Sequence, residues 1–235
     1  MITLLTYPPA FGQFSGSPFC IKAAHLLNLS GLRWTREDTL DPRMMPHQKL
    51  PVIRAEDQLI ADSDMIRSYL EAQGAAFDHG LTEMDKSTSR AFIRMAEEHL
   101  YFHIVLDRWE DDLAWPAIRE TYFASVPRPL RRLVANRVRR KILSAMQVQG
   151  LGRFTPAERL ARLEPDLEAI VTRLWQNRFL FGETPSAADA SVGPMLSAAI
   201  SSPGETALSS RIRENAVLMG YIDRVEQMLG DRRAA

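Results

Sequence analysis

The chain has 235 residues, 46% hydrophobic and 25% charged, with 29 Lys plus Arg against 29 Asp plus Glu. This is the profile of a folded globular protein able to bury a substantial core, and the balanced charge gives no global reason to expect nucleic acid or an anionic membrane as partner. One cysteine excludes an intrachain disulfide and a cysteine-rich zinc or iron–sulfur site.

Ile2–Thr6 reads as a buried strand entered without a charged, cleavable leader. A Pro/Gly/Ser-rich loop follows over residues 8–16. Ser17 is placed to cap a helix whose first residue is Pro18 and whose end is marked by Gly31. Residues 32–39 suggest a second strand, and 42–49 are irregular. Residues 50–54 and 58–60 suggest a hairpin turning at Glu56-Asp57, and Ser63–Ala72 an amphipathic helix with Ile66, Tyr69 and Leu70 inward. The order implies a small mixed sheet with packed helices, an α/β domain over residues 1–74.

Residues 73–82 suit a linker. Everything beyond reads as helix, at 84–110, 130–149, 156–175, 186–200 and 211–229, giving an all-α domain over residues 83–235. No run approaches the roughly eighteen apolar residues of a membrane span. A soluble, cytoplasmic protein is therefore expected.

The run Ser17-Pro18-Phe19-Cys20 opens a helix, where unpaired N–H groups and the positive end of the dipole can hold a sulfur or oxygen anion. The segments SPFCIKAAHLLNLSGL, KLPVI, IADSDMIRSYL and FLFGETPSAADASV, in this order, resemble the glutathione S-transferase superfamily nearly end to end. The closest likeness is to its metaxin and failed-axon-connections branch. The resemblance implies a thioredoxin-like domain that binds glutathione and a helical domain that completes a cleft for an electrophilic small molecule, commonly in a homodimer.

On that resemblance Pro51 is a cis-proline and Val52, after it, bonds the peptide backbone of glutathione. Asp62 and Ser63 receive its γ-glutamyl end at a helix N-terminus, with Lys49 a further charge contact; caps alone are the alternative for Asp62 and Ser63. Ser17 is the expected holder of the thiolate, and the alternative is that it only caps the helix. Tyr7, at the end of the first strand, is a second catalytic candidate. Cys20 resembles the second cysteine of a CxxC motif whose first is missing, so dithiol exchange is not expected and the residue reads as packed. A glutathione transferase-fold protein that binds without catalysis is the alternative to an enzyme.

Ser186 and Asp189 match a helix capping box, a stability element. Glu98, His99, His103 and Asp107 share a helical stripe that looks like a metal site in isolation, but no second helix supplies matching ligands and no metal is expected. Residues 128–141 hold seven cations: Arg128, Arg131, Arg132, Arg137, Arg139, Arg140 and Lys141. They could meet an anionic membrane or an acidic substrate. In a neutral chain they are expected to form a solvated face paired with nearby acids.

Overall fold

The structure, a computed structural model, describes residues 1–230. Strands β1 (Ile2–Thr6), β2 (Trp34–Asp38), β3 (Val52–Ala55) and β4 (Gln58–Ala61) form one sheet in the order β2-β1-β3-β4. β1 and β2 are parallel and therefore need a crossover, which is helix α1 (Pro18–Ser30). β3 runs antiparallel to both β1 and β4, with Val52 opposite Leu5 on one side and Ala61 on the other. Glu56, at φ 53°, turns the hairpin where Glu56-Asp57 was expected to. β3 starts two residues later than expected because Pro51 has no N–H to give to the ladder.

Helix α1 ends where foreseen, on Gly31 in the left-handed region at φ 71°. Helix α2 (Ser63–Ala72) buries Ile66 and Leu70, with Tyr69 packed at the edge. The strand alternation divides the sheet's contacts. Leu4 and Ile53 join the main core with Leu26, Leu27 and Leu70, whereas Leu5 and Val52 pack with Cys20, Leu50 and Ala61.

The helical part comprises α3 (Glu83–Met95), a π turn at Ala96–Leu100, α4 (Tyr101–Trp109), α5 (Trp115–Tyr122), α6 (Arg128–Gln149), α7 (Pro156–Leu174), α8 (Ala187–Ser201), α9 (Ala207–Arg213) and α10 (Ala216–Gly230). Three features depart from the sequence expectation. The run 84–110 carries a π turn in its middle. Helix α5 was unforeseen, being too short to show a period. The expected helix 211–229 is two, because Asn215 accepts from the N–H groups of Val217 and Leu218 and starts a new helix.

Helix α8 is buried nearly throughout, and Gly193 lets α10 approach closely: a Cβ there would lie 2.5 Å from Val225 Cγ1. The Asp189 carboxylate accepts from the Ser186 N–H and hydroxyl at 2.8 Å each, and from Leu180 N–H and Tyr221 hydroxyl at 2.9 Å. That makes it a structural acceptor. No helix among the described residues is long and apolar enough to cross a membrane.

Candidate functional site

The loop over residues 8–16 closes on itself and so brings the end of β1 beside the start of α1. Ala10 and Gln13 pair across a turn at Phe11 and Gly12, both at positive φ, and Gly16 N–H donates to the Pro8 carbonyl at 3.2 Å. Buried Ser15 is the internal tie. Its hydroxyl receives Thr6 at 3.1 Å, donates to the Tyr7 carbonyl at 2.9 Å and accepts from the Ser17 N–H at 3.3 Å.

Ser17 stands at the N-cap of α1, yet its side chain makes no capping bond; its hydroxyl faces the Cys20 thiol. Pro18 has no N–H, and the N–H groups of Cys20 and Ile21 donate to the Ser17 carbonyl. The Phe19 N–H thus has no acceptor among the described residues. A hydroxyl that meets the Cys20 thiol and leaves the helix uncapped lies with an orphan N–H at the positive end of α1, the arrangement that stabilises an anion. Burial pushes the Cys20 thiol up, against the opposing pull of Thr6, Tyr7, Ser17 and Ser15, so this wholly buried group stays protonated.

Two phenols face the same place. Tyr7, at the end of β1, has its hydroxyl pushed up to about 12 by burial first and then by Cys20, Tyr101 and Tyr122. Tyr101, which opens α4, packs edge-on to Phe19 at 4.8 Å between ring centroids, and burial pushes its hydroxyl up as well. Neither hydroxyl forms a hydrogen bond among the described residues. Both remain protonated at neutral pH and are donors, not bases.

The helical domain fixes the loop through Arg108. This buried guanidinium donates to the Gly16 carbonyl and the Tyr122 hydroxyl at 2.9 Å, to the Ala198 carbonyl at 3.0 Å and to the Ser202 hydroxyl at 2.8 Å. Tyr122 also donates to the Gly16 carbonyl, and a Cβ on Gly16 would lie 3.2 Å from its ring. Phe11, Tyr122, Trp109 and Trp115 roof the region. Sequence reasoning missed Ser15, Arg108 and Tyr122 as parts of the site: Arg108 and Tyr122 reach Gly16 from 92 and 106 positions away, and Ser15 acts inside an irregular loop that carries no periodic signal.

The Leu50–Pro51 bond is cis, and Pro51 accepts from the Asp62 N–H at 3.3 Å, which joins this turn to the start of α2. Val52 is wholly buried and held in register between Leu5 and Ala61, so its backbone belongs to the sheet. The backbone without a partner among the described residues is that of Leu50, one residue before the proline. Leu50 packs with Cys20 and Val52, against Tyr7.

Asp62 adopts φ 78° and caps α2, accepting from Asp64 N–H at 2.8 Å and Met65 N–H at 3.4 Å. The Ser63 hydroxyl and N–H have no partner among the described residues, and the side chain is buried at the positive end of α2. Lys49 is exposed, with no ion pair among the described residues. The structure thus gathers Tyr7, Ser17, Leu50, Val52, Asp62 and Ser63 along one edge and leaves Lys49 in solvent.

A buried ion network behind this edge ties both helix starts to the helical domain. Lys22, in the second turn of α1, is fully buried; its ammonium donates to Asp64 of α2 at 2.8 Å and to Glu97 of the π turn. Glu97 also accepts from the Ser191 hydroxyl of α8 at 2.7 Å, and Arg90 and Arg94 pair with Asp64. Burial works against Asp64, but Lys22 and Arg90 outweigh it and hold its carboxyl at about 2.

Of the stripe that mimics a metal site, His99 and His103 meet, with their Nε2 atoms 3.4 Å apart, and the two acids turn to other partners. Glu98 pairs with Arg94, His99 Nδ1 lies 2.6 Å from Asp166, and Asp107 accepts from Thr206. Burial pushes His103 down to about 3. No group of three or more His, Cys, Asp or Glu suited to a metal occurs among the described residues. Two shallow, open hollows also lie away from Ser17. One, of about 500 Å³, borders Met1, Arg33, Glu56 and Tyr69, and the other, of about 200 Å³, borders Gln13, His25, Ser197 and Glu226.

Residues 18–114 match the glutathione S-transferase N-terminal domain, and residues 163–225 match the glutathione S-transferase C-terminal domain. The chain is similar to the isoprene-epoxide–glutathione S-transferase of a Rhodococcus species, 28% identical over 97% of this chain and 98% of that one. It is also similar to human metaxin-2, 23% identical over 78% of this chain and 71% of the relative. In fold it resembles a glutathione transferase from Phanerochaete chrysosporium, with a TM-score of 0.63 at 20% identity, covering 97% of this chain and 96% of the other. With a mixed sheet followed by an all-helical domain, a cis-proline before β3 and both domains matched in order, the chain belongs to the glutathione S-transferase superfamily.

Proposed function

We propose that the protein binds glutathione along the edge from Ser63 past Leu50 to Ser17 and presents its sulfur as a thiolate to an electrophilic small molecule. The observation that carries this reading is the pair of donors at the start of α1, the Ser17 hydroxyl, which turns to the Cys20 thiol and does not cap the helix, and the Phe19 N–H. Ser63 and the N-terminus of α2 would take the γ-glutamyl carboxylate, with the free Asp62 oxygen near the ammonium. The Leu50 backbone, in place of Val52, would pair with the cysteinyl backbone.

The thiol proton leaves to solvent as Ser17, Phe19 N–H and Tyr7 stabilise the thiolate. Its electron pair forms a C–S bond while the bond from that carbon to oxygen opens, as in an epoxide. The released alkoxide takes the proton of Tyr101, which the solvent then restores. An epoxide is the electrophile in the name of the Rhodococcus relative, which supports this substrate class. A homodimer and kinship with the metaxin branch belong to the same proposal, the second supported by partial likeness to metaxins.

One observation favours binding without catalysis: Tyr122, packed with Phe11 and Trp109, lies against Gly16, the residue before Ser17. Calorimetric titration with glutathione, joined to mass spectrometry of adducts with a panel of epoxides, separates the readings. Binding with adduct formation supports the enzyme. Binding without adducts selects the second reading, and neither binding nor adducts sinks both.

A further inference from the structure

Helix α6 lies in the stretch 115–162, between the two regions matched to the superfamily, and only Ala135 and Met146 along it are buried. Its seven cations were expected to pair with nearby acids. The structure pairs two, Arg131 with Glu120 and Arg139 with Asp112. Arg128, Arg132, Arg137, Arg140 and Lys141 are exposed and have no carboxylate partner among the described residues. Leu130, Leu133 and Val148 stand among them at 54%, 68% and 81% exposure.

The spacing puts most of these groups on one side, with Arg128 and Arg132 turned toward the side of Ala135. Leu130, Leu133, Val134, Arg137, Arg140, Lys141 and Val148 are related by separations of three, four and seven and share the helix face opposite Ala135 and Met146. We propose that this face of α6 docks on an anionic lipid bilayer, the cations on headgroup phosphates and the leucines and valines in the interfacial layer.

The mixture of groups selects this occupant. A nucleic acid would answer the cations but leave Leu130 and Leu133 in water. An isologous contact with a second copy would set the same unpaired cations against themselves. A bilayer surface receives both, because long basic side chains lay their stems along apolar surface and send their charge to the phosphates.

Flotation of the full chain with phosphatidylcholine vesicles, and with vesicles containing about one-third phosphatidylglycerol, tests this. The protein should float with the anionic vesicles at about 0.05 M salt, stay unbound with the neutral ones, and be released at about 0.5 M. R137Q/R140Q/K141Q should lower partitioning about a hundredfold, roughly fivefold per cation. Leu130→Ser with Leu133→Ser should weaken it as well. All five side chains are solvent-exposed or lack core contacts, and an unchanged melting temperature confirms that the variants fold. Equal partitioning of wild type and R137Q/R140Q/K141Q overturns the proposal. So does binding to a duplex oligonucleotide without vesicle binding, or a dimer that Leu133→Ser splits in sedimentation.

Discussion

Replacing Lys22 by Met removes the ammonium that holds α1 to α2 and to the π turn. The side chain is fully buried and similar in length, so packing is nearly kept while charge is lost. Asp64 retains Arg90 and Arg94, whereas Glu97, at 3% side-chain exposure, keeps only Ser191 and a 3.3 Å contact with Arg94. Breaking one side of a buried pair costs about 3–5 kcal/mol. In a chain of this size that lowers the melting temperature by roughly 6–20 °C.

Lys22→Met with Glu97→Gln removes both charges and should recover at least about half of that loss. Urea unfolding followed by circular dichroism measures the cycle. A single variant within about 1 kcal/mol of wild type, or a double variant no better than the single one, would refute the assignment. The pH dependence has a definite sign. Asp64 falls from 3.8 to about 2 in the folded state, so its share is complete above about pH 4 and is lost as pH falls through 2.

Ser17→Ala should raise the ionisation point of bound glutathione by about one to two pH units and cut turnover near neutrality about ten- to a hundredfold. Thiolate absorbance against pH reads this, and Tyr7→Phe should shift it in the same direction. Cys20 should resist alkylation by iodoacetamide until the chain unfolds, and Cys20→Ala should keep conjugating activity; rapid native labelling would contradict its burial. Asp107 is raised from 3.8 to about 6 by burial, opposed by Thr206, so the folded state loses stability as pH rises from about 4 to 6. Asp107→Asn should therefore stabilise the protein above pH 6 by up to about 3 kcal/mol. That advantage should fade toward pH 4 in urea titrations.

Local signals were legible where a few neighbouring residues decide the conformation. The start of α1 at Pro18, its end at Gly31, the span of α2 and the reach of Asp189 back to Ser186 follow from nearby side chains. The missed break at Asn215 is local too, but its cap lies within a continuing apolar period that hides it. Tyr7, Ser17, Asp62 and Ser63 could be named only through the family resemblance, carried over residue by residue. The organisation of their edge could not be read that way.

The sequence by itself determined a mixed α/β domain followed by helices, a helix opening at Ser17 with no dithiol, and a capped start for α8. Those rest on periodicity, turn chemistry and residue identity. Only the tertiary structure decided that Val52 is spent in the sheet while the Leu50 backbone and most of the α6 cations have no partner among the described residues, and that Arg108 and Tyr122 hold Gly16. It also decided that Lys22 meets residues 42 and 75 positions away. The physical reason is common to all four: pairing and burial depend on distances between chain segments, and no one-dimensional pattern contains them until the core has packed.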